Sequence, residues 1–481
     1  MPITPQTFHF QLNQIITAEN FLIAYSGGVD SHVLLHLCAQ LKNNPGGSEK
    51  SFTAVYIDHG LSPHAKKWGR HCQHICYELD IPLTIIEVNA SPERGQSPEA
   101  AARLARYHAF AELLQTNECL LTAQHLDDQA ETLLLQLLRG SGSKGLAAMP
   151  KLKFFSGGYI CRPILNYRKQ DILAYAKQHR LTWIEDETNS EQRFDRNFLR
   201  HSIFPLLQQR WPAVLNNFAK SAELQAENQY LLEQLAQEDI QAALAYDNNN
   251  QCEPDKLLSS PILALRSRSE NDIRLKNTLR YWISTNCLPL PSRKILQEII
   301  NAVLCSGENA NPRVCWNRDN IHVEIRKYRN RLYLLNASPE EFIKIPRHNV
   351  LTLEHPVELG GKSGRVIMEN CSANQAASGN LANSDYSVCN GFDRQQLLSR
   401  AVSIVPRQGG ESYRRSADDC SHPLKYWFQQ QAIPPWERQS MPLIYWGEDL
   451  IQVGEQVVNF SLISNDAVNS VQIRWVTDKI A

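Results

Sequence analysis

The strongest constraint on this chain is an alternation, sustained over its first two hundred residues, of short apolar runs with stretches at helical spacing. Phe21 to Tyr25 is a strand-like run, followed by two glycines and then, from Val33 to Leu41, by a helical pattern. The strand signal recurs at 52–57, 83–88 and 120–122, with helices expected over 65–79, 99–115 and 127–139. Strands alternating with helices read as a parallel, doubly wound α/β sheet covered on both faces. Ligands of such sheets bind beyond the carboxyl ends of the strands. The candidate motifs fall at those ends.

At 481 residues the chain exceeds one ordinary core, so two to four domains are expected. We place them at 1–210, 211–336 and 337–481. From Trp211 the pattern is mainly helical, with an apolar stripe through Leu215, Phe218, Leu224, Leu231 and Leu235, broken by the polar run Asp247 to Asn250. A second helical block at 273–304 leads into a hairpin-like stretch at 323–334. The remainder reads as a small mixed α/β domain, and its Asn-, Ser- and Ala-rich stretch 370–390 as a mobile insertion.

Composition narrows the class. Hydrophobic residues make up 43% and charged residues 21%, the balance of a globular protein. No apolar run is long enough to cross a bilayer, and the N-terminus lacks a secretion signal, so a cytoplasmic protein with no membrane partner is expected. The twelve cysteines include no C-x-x-C and read as reduced thiols filling cores. A net charge of −1 predicts no nucleic-acid partner by itself and leaves room for local basic patches.

The loop Ser26-Gly27-Gly28-Val29-Asp30-Ser31 lies between a strand and a helix. Its glycines admit close backbone approach, and free N–H groups at the helix start favour an anion. Ser26 and Ser31 add hydroxyls. A carboxylate beside phosphates calls for a metal between them, so Asp30 is the candidate Mg²⁺ ligand. The loop has neither the spacing nor the lysine of a Walker A site. Gly140 to Gly145 matches G-x-G-x-x-G but follows a helix, which removes the context a dinucleotide site requires.

A second cluster, His125-Leu126-Asp127-Asp128-Gln129-Ala130-Glu131-Thr132, follows the strand at 120–122. On a helix, His125, Asp128 and Glu131 share a face. Acids in a first helical turn often only complement the dipole. Three carboxylates with a histidine at a strand end exceed that need, and suit either holding Mg²⁺ or binding an amine and removing its proton.

The hexapeptide at the strand–helix junction resembles that of the PP-loop ATP pyrophosphatases (adenine nucleotide alpha hydrolase-like), which implies cleavage of ATP between its α- and β-phosphates. Arg139-Gly140-Ser141-Gly142, Arg162-Pro163-Ile164-Leu165, Trp183 to Asn189 and Arg196-Asn197-Phe198-Leu199-Arg200 follow in order. Together they resemble the tRNA(Ile)-lysidine synthetase family, and the likeness returns at Arg407 to Glu411, Leu424-Lys425 and Ile433 to Arg438. The resemblance implies a ligase that adenylates C2–O of the wobble cytidine in an isoleucine tRNA with a CAU anticodon. Free L-lysine then attacks C2 and AMP leaves, with ATP and Mg²⁺ consumed or required and no obligate protein partner.

Carried over by position, Ser26 to Ser31 hold the phosphates, Asp30 acting through Mg²⁺. Asp128 and Glu131 bind or deprotonate lysine, with His125 and Asp127 beside them. Arg196, Asn197 and Arg200 contact nucleotide, tRNA phosphate or the activated base. For Arg200 an ion pair with Glu185 or Asp186 is an equal alternative, and His59 in Asp58-His59-Gly60 reads as a polar contact at the adenine edge. Lys425 stands alone where the family often has two lysines.

Six basic residues between 313 and 331 are interleaved with Trp316, Tyr328 and Tyr333. That pattern suits phosphate contact and base stacking. Arg407, Arg414, Arg415 and Lys425 form a second group, read as tRNA contacts. Rival readings are a tRNA thiolase, disfavoured by the missing paired cysteines, an amidating ligase of small molecules, and a nucleotide sensor.

Overall fold

The computed structural model describes residues 2–43, 50–58, 60, 64–92, 98–185, 194–245, 256–258, 272–307, 310–318, 320–329, 331–336, 349–353, 355–359, 364–371, 391–464 and 469–476. His59, Asp186, the run 247–250 and nearly all of the stretch 370–390 therefore lie outside the described residues. The chain divides into two compact units, 1–234 and 235–481.

The first unit runs α1 (Pro5–Ile15), β1 (Asn20–Ala24), α2 (Val29–Lys42), β2 (Ser51–Asp58), α3 (Ala65–Glu78), β3 (Leu83–Glu87), α4 (Pro98–Leu113), β4 (Cys119–Leu121) and α5 (Leu126–Leu138). A short α6 (Ser143–Leu146), the strands β5 (Leu152–Phe155) and β6 (Gly158–Cys161), and α7 (Lys169–Gln178) follow. Then α8 (Asp195–Phe198) passes through a π turn (Leu199–Ile203) into α9 (Phe204–Arg210), and α10 (Val214–Ala245) begins in this unit and runs past its boundary at residue 234.

The sheet order is β3-β2-β1-β4-β6-β5, parallel except for β5. The expected doubly wound sheet is thus present, with an added antiparallel edge. Its hairpin turns on Ser156 and Gly157, both at positive φ (48° and 84°), a two-residue turn matched to strand twist.

Alternation along the strands builds two cores. Phe21, Ile23, Phe52, Ala54, Tyr56 and Leu121 face one side, packed with α1, α2, α3 and α7. Val55, Ile57, Leu120 and Ile160 face the other, against Phe110 and Leu114 at α4. Chain order runs outward from β1 to β3 and resumes at β4 on the opposite side of β1. The switch point therefore lies between the carboxyl ends of β1 and β4.

In the second unit, helices Ile273–Thr285 and Arg293–Glu298 pack on an antiparallel sheet made of Lys256–Leu258, Arg331–Asn336, Ile321–Tyr328 and Arg313–Arg318. Leu279, Trp282, Ile300, Val323 and Leu332 fill that core. The strand-rich remainder centres on a five-stranded and a four-stranded sheet sharing Met368, Ile404, Ile444, Ile451 and Ile473.

Cys38, Cys72, Cys76, Cys119 and Cys161 are buried as expected, but Cys287, Cys305, Cys315 and Cys420 are exposed, which corrects the reading of all the thiols as core filling. Among the described residues no helix is long and apolar enough to cross a membrane.

Candidate active site

The loop after β1 is shaped by its own residues. Gly27 sits at φ +80°, where a Cβ would fall 2.5 Å from Ile184 Cδ1 and 3.1 Å from Cys72 Sγ. Its carbonyl accepts the Ile184 N–H at 2.9 Å, which ties the loop to the segment after α7. Gly28 is the N-cap of α2 and provides no side-chain cap, so the first-turn N–H groups of that helix have no side-chain acceptor. The Ser31 hydroxyl is engaged internally: it donates to the Gly28 carbonyl at 3.0 Å and accepts the Ser26 N–H at 3.2 Å. Val29 points into the core and Ser26 outward, leaving Ser26 as the exposed hydroxyl of the pair.

Across the switch point, His125 is the N-cap of α5 in extended conformation, one residue before the helix rather than on its face. Its N–H donates to Asp128 Oδ2 at 3.0 Å, so Asp128 also does the capping work of a third helical position. The His125 ring is buried. Its Nε2 lies 3.8 Å from Asp30 Oδ1 and 3.4 Å from Asp128 Oδ2, while Nδ1 lies 3.8 Å from Asp127 Oδ2. One imidazole thus links the nucleotide loop to the acidic helix start. The two halves expected from sequence are brought together.

Glu131, 1% exposed, lies one turn further along α5. Arg200 grips it with two bonds, Nε to Oε1 at 2.8 Å and Nη2 to Oε2 at 3.0 Å, and its Nη2 also reaches Asp128 Oδ1 at 3.3 Å. Burial pushes the Glu131 carboxyl above its ordinary value, against the opposing pull of Arg200. Burial alone would lower Arg200, but its bonds to Glu131 and the charge of Asp128 leave it raised. Arg200 comes from the π turn between α8 and α9, a helix distortion of the kind found at functional positions. Arg196 donates to Thr132 Oγ1 at 3.0 Å, and Asn197 is buried beside it. The ion pair foreseen for Arg200 is present, with Glu131 and Asp128 as the acids rather than Glu185.

The residue that sequence reasoning missed is Lys169. Its Nζ lies 2.6 and 2.7 Å from the two oxygens of Asp30, and its backbone N–H donates to Asp127 Oδ2 at 2.9 Å. It opens α7, in the connection after β6. A basic residue at the start of a helix that follows a parallel strand was the available signal. For Mg²⁺, Asp30 offers a single carboxylate. Among the described residues no group of three acids, histidines or cysteines converges at this cleft. One carboxylate completed by phosphate oxygens and water is an arrangement Mg²⁺ uses, so the residues fit an ion that arrives with its nucleotide.

A PP-loop domain matches residues 4–207, a TilS substrate binding domain 268–333 and a TilS substrate C-terminal domain 402–475. The chain is 38% identical over 452 residues to the tRNA(Ile)-lysidine synthase of Coxiella burnetii, covering 94% of this chain and 92% of that protein. It belongs to the tRNA(Ile)-lysidine synthase family. The Methylococcus capsulatus relative is 36% identical over 89% of both chains, and that of Escherichia coli O157:H7 37% identical over 96% of this chain and 97% of the other. Membership makes the chain an ATP-using ligase of tRNA modification, and the PP-loop match spans every cleft residue described above.

The two substrate-domain matches of this lysidine synthase family cover the basic stretches, and there the structure corrects the expected base stacking. Trp316 is 5% exposed and donates its indole N–H to the Pro289 carbonyl at 2.8 Å. Tyr333, equally buried, meets Trp436 edge-on at 5.2 Å between ring centroids. Arg326 pairs with Glu324 and lies over the Trp436 ring at 4.9 Å. Buried Arg438 donates to Tyr328 Oη at 2.9 Å, and Lys327 Nζ donates to the Leu304 and Ser306 carbonyls. Arg329 donates to the Gln429 carbonyl. These side chains hold the second unit together. Arg407 is half-buried, 3.6 Å from Glu411 and over the Phe428 ring. Arg414, Arg415 and Lys425 are exposed.

Proposed function

We propose that this chain joins free lysine to C2 of the wobble cytidine in the CAU-anticodon isoleucine tRNA, through an adenylated cytidine, releasing pyrophosphate and AMP. The observation that carries this reading is the shared imidazole: His125 lies within 3.8 Å of Asp30 at the nucleotide loop and 3.4 Å of Asp128 at the acidic helix start. An activating half and an amine-binding half within one crevice are what a two-step adenylate transfer requires.

In the first step the loop N–H groups and the exposed Ser26 hydroxyl bind phosphate oxygens. Asp30 would hold Mg²⁺, which neutralises phosphate charge when bound. Lys169, which now holds Asp30, would be free to turn its ammonium to the departing pyrophosphate once Asp30 is engaged elsewhere. The cytidine O2 takes the adenylyl group and pyrophosphate leaves.

In the second step the ammonium of lysine displaces Arg200 from Asp128 and Glu131, and Arg200 is freed for phosphate or the activated base. A lysine amine, with an ordinary pKa near about 10.4, must lose a proton before it can attack. Glu131, raised by burial, is closer to working pH than an ordinary carboxylate and better matched to accept it. The amine nitrogen bonds to C2, the C2–O bond to the adenylate breaks, and AMP leaves. In this reading Arg196, Asn197, Arg407, Arg414, Arg415 and Lys425 contact tRNA, and the enzyme works in the cytoplasm. Domains at 1–210, 211–336 and 337–481 divide activation from tRNA binding.

The test uses purified protein with ATP, Mg²⁺, labelled lysine and the unmodified tRNA. Pyrophosphate release reports the first step and lysine incorporation the second. Asp30→Ala is expected to abolish both, whereas Asp128→Ala spares pyrophosphate release more than incorporation. Equal loss of both steps in the two variants would overturn the division of roles.

A further inference from the structure

Far along the sequence from the nucleotide loop, the segment 414–421 connects two short strands, Ser412–Tyr413 and His422–Pro423, paired antiparallel with Tyr413 opposite His422. The end of this segment and the first residue of the second strand gather three side chains of metal-ligating chemistry, Asp419, Cys420 and His422, whose ligand atoms all lie within 4.8 Å of one another. Cys420 Sγ is 3.7 Å from His422 Nε2 and 3.7 Å from Asp419 Oδ1, and His422 Nε2 is 3.4 Å from Asp419 Oδ2.

Those separations carry information. With metal–sulfur bonds of about 2.3 Å, metal–nitrogen or –oxygen bonds of about 2.0–2.1 Å and tetrahedral angles, ligand atoms stand about 3.3–3.6 Å apart. The Cys420–His422 and His422–Asp419 separations match that spacing to within about 0.2 Å, the contacts of Asp419 being made through its two different oxygens, and with one ligand atom from each residue all three lie within 4.8 Å of one another. It is also unlike a Cys–His–acid relay, in which the acid would hold Nδ1 while the thiol meets Nε2. Here both the thiol and the carboxylate converge on Nε2, as ligands do around a common centre. The carboxylate is held in place before any ion arrives: Asp419 Oδ2 accepts the Arg415 N–H at 3.3 Å and Oδ1 the Cys420 N–H at 2.9 Å. Among the described residues no other trio of acids, histidines and cysteines converges in this way.

We propose that Asp419, Cys420 and His422 form a tetrahedral site for a divalent ion of the zinc class, with water as the fourth ligand. A thiolate and an imidazole select such an ion over Mg²⁺, which prefers oxygen donors. On binding, the Cys420 S–H proton is released to solvent and the sulfur bonds to the metal as thiolate. The ion would fix residues 419–422 at the end of the connection, and with them Asp419, which accepts the N–H of exposed Arg415. The metal would then act as a structural clip in the second unit, chemically separate from the ion that accompanies ATP.

The test is spectroscopic. Full-length protein, stripped with a chelator and kept reduced, is titrated with Co²⁺ and then with Zn²⁺. One equivalent of Co²⁺ is expected to give tetrahedral visible bands and a near-ultraviolet thiolate-to-cobalt band, both erased by Zn²⁺. The thiolate band is lost in Cys420→Ser, and the tetrahedral bands are lost in His422→Ala, with melting curves confirming that both variants fold. In parallel, Zn²⁺ slows iodoacetamide alkylation of Cys420 read by peptide mass, while exposed Cys287, Cys305 and Cys315 serve as internal controls. A thiolate band that survives Cys420→Ser, the absence of any such band, or unchanged alkylation of Cys420 with Zn²⁺ overturns the site.

Discussion

The cleft of the first unit and the basic stretch of the second use the same residue types to opposite ends. In the cleft, Lys169 meets Asp30 and Arg200 meets Glu131, so each cation covers a carboxylate that the proposed reaction assigns to a substrate. Both pairs are partly open to solvent on the basic side, and a phosphate or an amine can exchange for one member. In the second unit, Arg326, Arg438 and Lys327 are enclosed by Glu324, Trp436, Tyr328 and backbone carbonyls, with no comparable opening. The difference teaches that an arginine beside aromatic residues in a sequence identifies a stacking arrangement without saying whether its partner is a base or another side chain.

Three measurements sharpen or break that contrast. The largest effect is expected at the loop: Gly27→Ala puts a Cβ 2.5 Å from Ile184 Cδ1 at a φ that disfavours alanine. It should cost roughly 1–3 kcal/mol of stability from backbone strain and abolish pyrophosphate release. Gly28→Ala, whose nearest neighbour would be Ser26 Oγ at 3.6 Å, should melt within about 0.5 kcal/mol of the parent. Equal behaviour of the two would show that the loop is not held as described. Next, Trp436→Ala should destabilise the protein by about 3 kcal/mol, because Arg326, Tyr328 and Tyr333 all pack on that ring. Its tRNA affinity, measured on the folded fraction, should be nearly unchanged. A stable variant with weakened tRNA binding would restore the base-stacking role. The smallest effect belongs to exposed Arg414 and Arg415. Either one changed to Ala should leave the melting temperature alone while making the dependence of log affinity on log salt shallower by about 1 if the residue contacts phosphate.

Much of the first unit was legible because period-2 and period-3.6 patterns there are dictated by the sheet. Phe21 and Ile23 against Leu22 and Ala24 sort themselves onto two faces whatever the details of the loops. The nucleotide loop and the acidic helix start were legible for a similar reason, since each follows directly on a strand end. Lys169 was not, because it lies well over a hundred residues from Asp30 in sequence and only the sheet order brings β1 and β6 to opposite sides of β4. The hairpin at 152–161 escaped because its strands are four residues each and its signal is mainly a Ser-Gly turn. In the second unit, local pattern gave the right hairpin at 321–336, yet Trp436 and Arg438, about a hundred residues away, decide what its aromatic residues touch.

The strand order has one more consequence. Because the glycine-rich bend issues from β1 and the carboxylates follow β4, the two ends that the proposed reaction would use are encoded in separate stretches of chain, bridged at the cleft by His125 and Lys169. On the proposed reading, rewriting the opening turn of α5 changes which nucleophile is welcomed while the energy-supplying half stays intact. A scaffold divided in this way is a natural starting point for redirecting adenylate transfer to amines other than lysine.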